Sequence, residues 1–146
     1  MRGTFSIGLD PNALNEFNQA CNVAITKVGR GTKKATVAAC EEILQESLMQ
    51  VPRDTHTLAM SGFYEVNGSW IKGWTGTVGY GGAYDPINPK TGQPASQYMV
   101  QVHEDLNVYH KIGKAKFLED PVRDYAKEKF PRTVFKYAQE SLADYK

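Results

Sequence analysis

The stretch "VPRDTHTLAMSGFYEVNG", residues 51–68, is where the chain changes period. Upstream, Val37, Cys40, Ile43, Leu44, Ser47, Leu48 and Val51 recur at intervals of three and four, with Glu41, Glu42, Gln45 and Glu46 between them. That pattern is one apolar stripe on a helix whose other face meets water. Pro52 restricts Val51 to extended backbone and ends the helix. Downstream, "GFYEV" alternates as a half-buried strand does, and Asn67-Gly68 is a strong hairpin signal. Between the two periods lies the polar "RDTHT". It reads as a fixed turn that launches a strand from a helix. Pro52, Asp54 and Thr55 are its structural residues, with one of the two polar side chains expected to bond nearby backbone N–H groups.

Toward the N-terminus, Asp10-Pro11 reads as a helix start, a capping Asp followed by proline at the first helical position. Leu14, Phe17, Cys21, Ala24, Ile25 and Val28 continue as one stripe. "GRG" at 29–31 is expected to break or bend this helix, with a second helix from about Lys33 to Gln50. Residues 1–32 thus form an N-terminal helix and extension. Toward the C-terminus, "SWIKGWTGTVGYGG" continues as β structure with several glycines, which mark bulges or close backbone approach. "DPINPKTGQPASQ", residues 85–97, holds three prolines and reads as a long loop of the kind that is functional or mobile. "YMVQVHEDLNVYHKIG" fits either a short helix or a strand. Phe117, Leu118, Val122, Tyr125, Ala126 and Phe130 form a last helical stripe, which Pro131 kinks or divides before Val134, Phe135, Ala138 and Leu142. The expected fold is α+β: N-terminal helices and a C-terminal helix packed on a small, mostly antiparallel sheet. No internal repeat appears, and the 146 residues fit a single domain, 1–146.

Composition narrows the function. Formal net charge is +1 with acids and bases interspersed, which lacks the one-sided basic excess of an electrostatically driven nucleic-acid binder. Hydrophobic content of 41% with 11% aromatics is globular rather than disordered. Cys21 and Cys40 sit at apolar helical positions and read as buried free thiols. No CxxC pair exists for a zinc ribbon. The opening "MRGTFSIGLDPN" lacks the apolar run of a signal peptide, and no segment has the length to span a bilayer, so synthesis in a cytoplasm is expected.

Three motifs invite chemistry and fall short of it. His103-Glu104 with His110 lacks the H-E-x-x-H spacing that puts two imidazoles on one helical face, so no metal is expected. Asp54, Thr55 and His56 are adjacent, and adjacent residues rarely converge in a triad. No nucleophile elbow accompanies them. "GYGGAY" at 79–84 lacks the spacing and following helix of a phosphate loop. The chain therefore reads as a non-enzyme without a cofactor. Trp70, Trp74, Tyr80 and Tyr84 among glycines could form a stacking platform for single-stranded nucleic acid. The competing reading places them in the core or at a subunit interface.

The motifs in order resemble a known family. "VPRDTHTLAMSGFYEV" is similar to the "P-x-D-T-G-x-L-R-x-S" segment of small neck, tail-completion and tail-terminator proteins of lambdoid-type tailed phages. "YMVQVHE" resembles that family's "Y-A-x-x-V-H-E", and "HKIGKAKFLEDPV" its "G-x-x-x-F-L" ending before a C-terminal helix. The likeness spans roughly residues 33–128, and the order of the motifs carries it. His56 stands where the family has glycine, and Ala59 where it has arginine. The resemblance implies a virion structural protein of the head–tail junction, made in the host cytoplasm. It would assemble with itself into a ring, sixfold or alternatively twelvefold. Its neighbours would be head-completion or connector proteins and tail-tube proteins, with genomic DNA at most passing through the lumen. A minor capsid protein and a nucleic-acid-binding module are the alternatives. Tyr84, Ile87, Tyr98, His103 and Glu104 are the candidate interface residues, and Phe117 and Leu118 the expected core of the C-terminal motif.

Overall fold

The computed structural model describes residues 8, 10–107 and 109–144. The start of the N-terminal extension (residues 1–7 and Leu9) and Val108 of the segment between helix and strand readings lie outside them. One helix dominates. α1 runs from Pro11 to Gln50 without interruption, 40 residues, about 60 Å at 1.5 Å per residue. Asp10 caps it by accepting from the Asn12 N–H at 3.2 Å, and Val51 and Pro52 end it as expected. The expected break at 29–31 is absent. Gly29 and Gly31 are buried inside the helix, where they let other chain segments come close. A Cβ on Gly29 would lie 2.5 Å from the Trp70 Cβ, and one on Gly31 would lie 2.5 Å from the Tyr137 carbonyl oxygen. Glycine here serves packing, and its weak helix propensity is overridden by those contacts.

After the turn come α2 (Thr57–Met60), β1 (Gly62–Ser69) and β2 (Gly73–Tyr80). The strands form a two-stranded antiparallel hairpin in the register Gly62↔Tyr80 to Ser69↔Gly73. The reversal thus falls at Trp70–Lys72, not at Asn67-Gly68, which pairs with Trp74 and Thr75 inside the ladder. Gly73 at φ +86° and the Ser69 hydroxyl, which accepts from the Lys72 N–H at 3.1 Å, make the later turn. α3 (Ala95–Glu104) resolves the ambiguous segment as helix and takes in residues 95–97 of the expected loop. α4 (Glu119–Glu128) and α5 (Phe130–Ala143) divide at Lys129, two residues before Pro131.

The fold class is α+β: the long N-terminal helix and the C-terminal helices pack on the small antiparallel sheet. The core has two centres along α1. Val51, Leu58, Tyr80, Ala95 and Phe117 cluster at its C-terminal end, with Leu44, Leu48, Tyr98, Met99 and Leu118 packed around them. Further back, Gly31, Ala35 and Ala39 bury a small-residue face. α5 lies along α1, with Tyr137 and Ser141 closing over Gly31. Of the cysteines, Cys40 is buried and Cys21 only partly so, and both are free thiols.

Candidate functional site

The three motifs of the family resemblance meet at the C-terminal end of α1. Phe117 is 1% exposed, its ring edge-on to Tyr80 at 5.2 Å and to His103 at 5.0 Å. His103 joins two helices. Its Nε2 accepts from the backbone N–H of Glu119, the first residue of α4, at 3.3 Å. Its Nδ1 therefore carries the proton and faces the Glu104 carboxylate at 2.8 Å. Lys116, at φ +57°, bridges Glu104 and Glu119. Bonds from Lys116 first and His103 second hold the Glu104 carboxyl below its usual range, and the Lys116 ammonium is raised in turn. Of the expected interface pair, then, His103 turns inward as a helix cap and Glu104 stays half-exposed in an ion network. Phe117 is buried as expected. Leu118 is half-buried, because it sits at the cap of α4 rather than under it.

The turn is built differently from expectation. His56 takes the capping position of α2 in left-handed backbone, φ +60°, with no side-chain cap bond. Glycine would adopt such a φ without strain, whereas histidine does so less readily. Asp54 reaches out to Lys90 Nζ at 2.7 Å, and Thr55 bonds Thr57 Oγ1 at 2.8 Å. The backbone bonding assigned to Asp54 or Thr55 falls instead to the segment 112–114. Arg53 N–H donates to the Ile112 carbonyl and Lys114 N–H to the Gln50 carbonyl. Gly113 at φ +94° lies so close that a Cβ would meet Pro52 N at 2.6 Å.

Beside the turn a half-open cleft of about 210 Å³ is lined by Asp54, Thr55, His56, Tyr98 and His110, among others. In the cleft the Thr55 hydroxyl bonds the Thr57 hydroxyl rather than a histidine. His110 Nε2, Arg53 Nε and Gln50 Oε1 are buried without a bonding partner among the described residues. Among the described residues no group of three or more His, Cys, Asp or Glu is placed to hold a metal ion, and no helix is long and apolar enough to cross a membrane.

The Pro-rich segment 85–94 closes on itself. Ile87 bridges Pro94, Asn88 N–H donates to the Gln93 carbonyl at 2.8 Å, and the Asp85 carboxylate accepts from Ser96 N–H at 2.9 Å. Tyr84 and Ile87 are exposed, whereas Tyr98 turns toward the cleft. The aromatic residues of the hairpin do not share one platform. Trp74 donates its Nε1–H to the Gly29 carbonyl at 2.9 Å, with Lys33 over its ring, and Tyr80 is in the core.

What the sequence reading missed is the surface. Among the described residues nine hydrophobic side chains are buried, while nineteen large ones stand exposed, Ile71, Leu106 and Tyr109 at more than 70%. On the first half of α1, Leu14, Phe17 and Ile25 lie open. The helical stripe at Leu14, Phe17 and Ile25 was the available signal. Comparison with known proteins finds no matching family model, curated protein or solved structure.

Proposed function

We propose that this chain is a virion structural protein of the head–tail junction of a tailed phage. It forms a ring with copies of itself, sixfold in this reading, that completes or terminates the tail and meets the head connector. The reading takes its class from the ordered motifs at 51–66, 98–104 and 110–122. It is supported by their meeting as one structural unit around Phe117.

The observation that carries it is the number of large apolar side chains left open, nineteen against nine buried hydrophobic ones among the described residues. A monomeric protein scatters such residues singly, whereas contiguous apolar faces mark association. Ring subunits join head-to-tail, so each needs two different complementary surfaces. The near-neutral, mixed-sign charge suits packing against like copies, because it imposes no net repulsion.

Native mass spectrometry and electron microscopy of the purified full chain test this reading. The expected result is a closed ring of one stoichiometry with a lumen wide enough for duplex DNA. A chain that stays monomeric at every concentration, or that forms only twofold dimers, would overturn it.

A further inference from the structure

The net charge of +1 conceals a local segregation. Between Glu16 and Glu41 the chain has no acidic residue, and between Glu65 and Asp85 Lys72 is the one charged residue. The fold brings these two stretches together, because the tip of the β1–β2 hairpin rests on the middle of α1. Trp70 is braced on the bare backbone of Gly29, and Trp74 donates to the Gly29 carbonyl. Beside that contact Arg30, Lys33 and Lys34 stand exposed on one turn of α1, at spacings of three and four that put them on a common face. Lys33 Nζ lies 5.0 Å from the centre of the Trp74 ring, and Lys72 is exposed in the same reversal as Trp70.

Elsewhere five cations have acidic partners. Lys90 pairs with Asp54, Lys114 with Asp120, Lys116 with Glu104 and Glu119, Arg123 with Asp120, and Lys129 with Glu42 and Glu46. Among the described residues Arg30, Lys33, Lys34 and Lys72 form no ion pair. Glu41 lines a shallow hollow together with Lys33 and Lys34, but its carboxylate accepts from the Tyr64 hydroxyl at 2.8 Å. Like charges gathered on one surface repel, and a polyanion laid across them relieves that repulsion.

We propose that the patch of Arg30, Lys33, Lys34 and Lys72 binds the phosphate backbone of nucleic acid without reading its sequence. A bilayer surface also presents phosphates, but holding a protein there takes apolar insertion besides charge. The large apolar side chains open at this hairpin tip are Ile71 and Trp70, and Trp70 is only 53% exposed because it packs on α1. Backbone phosphates, by contrast, are engaged by the cations alone, through release of condensed counterions. The contact goes beyond the ring reading, since each single copy presents it.

Fluorescence anisotropy of a labelled duplex of random sequence, titrated with the full chain across a salt series, tests this. Four phosphate contacts give a slope of log K on log salt of about −3.6 for one copy engaged, roughly a hundredfold loss of affinity from about 50 to about 200 mM salt. The double variant Arg30→Gln/Lys34→Gln should bind about tenfold or more weakly at low salt, with the slope reduced by about 2. Both side chains are exposed, so its circular dichroism should match the wild type. Lys111→Gln/Lys127→Gln removes the same charge from exposed positions outside the patch and should leave binding unchanged. Equal weakening by the two double variants would mean that overall charge, not this patch, holds the duplex, and would overturn the assignment. So would a wild-type chain that does not bind the duplex at low salt, or one that binds vesicles of phosphatidylserine and phosphatidylcholine in its place. A chain that binds the duplex through this patch but forms no ring overturns the ring reading alone.

Discussion

Ser47 and Tyr80 are the most consequential polar pair at the residue scale. Ser47 is fully buried in α1, Tyr80 is 4% exposed at the end of β2, and their hydroxyls meet at 2.7 Å. Burial raises the Tyr80 hydroxyl pKa, and the bond to Ser47 offsets part of that. Ser47→Ala strands a buried phenol hydroxyl, which costs about 1–3 kcal/mol. The double variant Ser47→Ala/Tyr80→Phe should cost less than the sum of the single changes, since no stranded hydroxyl remains on either side. Urea unfolding of the three variants checks this. Gly31 gives the second prediction at this scale. In an open helix Gly→Ala would stabilise by about 1 kcal/mol. Here the added Cβ would lie 2.5 Å from the Tyr137 carbonyl oxygen and 2.8 Å from Ser141 Oγ, both on α5. Overlap wins, and Gly31→Ala should destabilise by about 1–3 kcal/mol, as overpacking does. A stabilised variant would mean that α5 does not sit on α1 as described.

Among the elements, the joint between α3 and α4 has the most to lose. Phe117 fills the space between them and Tyr80, and its near-complete burial predicts a loss of about 3–5 kcal/mol for Phe117→Ala in thermal or chemical unfolding. The ion network over the joint is exposed and adds a pH dependence of small size. Glu104 is held below its usual range by Lys116 and His103, so the unfolded chain binds its proton more readily than the folded one does. Its contribution is full above the ordinary carboxylate range and fades as pH falls through the folded value. Asp120, pulled down chiefly by Lys114, acts in the same direction. The unfolding midpoint should drop on the acid side, and Glu104→Gln should flatten that limb without changing the neutral-pH fold. An unchanged acid limb would show that the network contributes nothing.

For the whole molecule the balance of buried and open apolar surface decides behaviour. A ligand that binds only the folded state raises its stability by mass action, and a second copy is such a ligand. The thermal midpoint of the full chain should therefore climb with protein concentration. A midpoint independent of concentration would count against self-assembly altogether. The Pro-rich segment 85–94 bears on the same question. It is tied by its own bridge and by Asp54–Lys90, and it holds Tyr84 and Ile87 outward at fixed positions. Residues so presented lose little freedom on docking, which favours binding.

Period, capping and proline together marked several elements of this protein in the sequence. The stripe of α1, its start at Asp10-Pro11, its stop at Pro52, the strand at β1 and the division near Pro131 are local signals, set by side-chain spacing and by the missing N–H of proline. Phe117 was legible as core for the same reason. Tertiary contact decided the rest. Gly29 and Gly31 read as a helix break or bend, yet the helix runs on through them where Trp70 and α5 approach closely, and that packing outweighs their propensity. Asn67-Gly68 read as a turn, yet strand pairing carried the ladder three residues further. His103 read as an interface residue, yet α4 lies against it and offers an N–H that it accepts. Local spacing says which way a chain can bend. Which buried donors, acceptors and close approaches must be satisfied depends on segments far apart in sequence, and these exist only once the chain has folded.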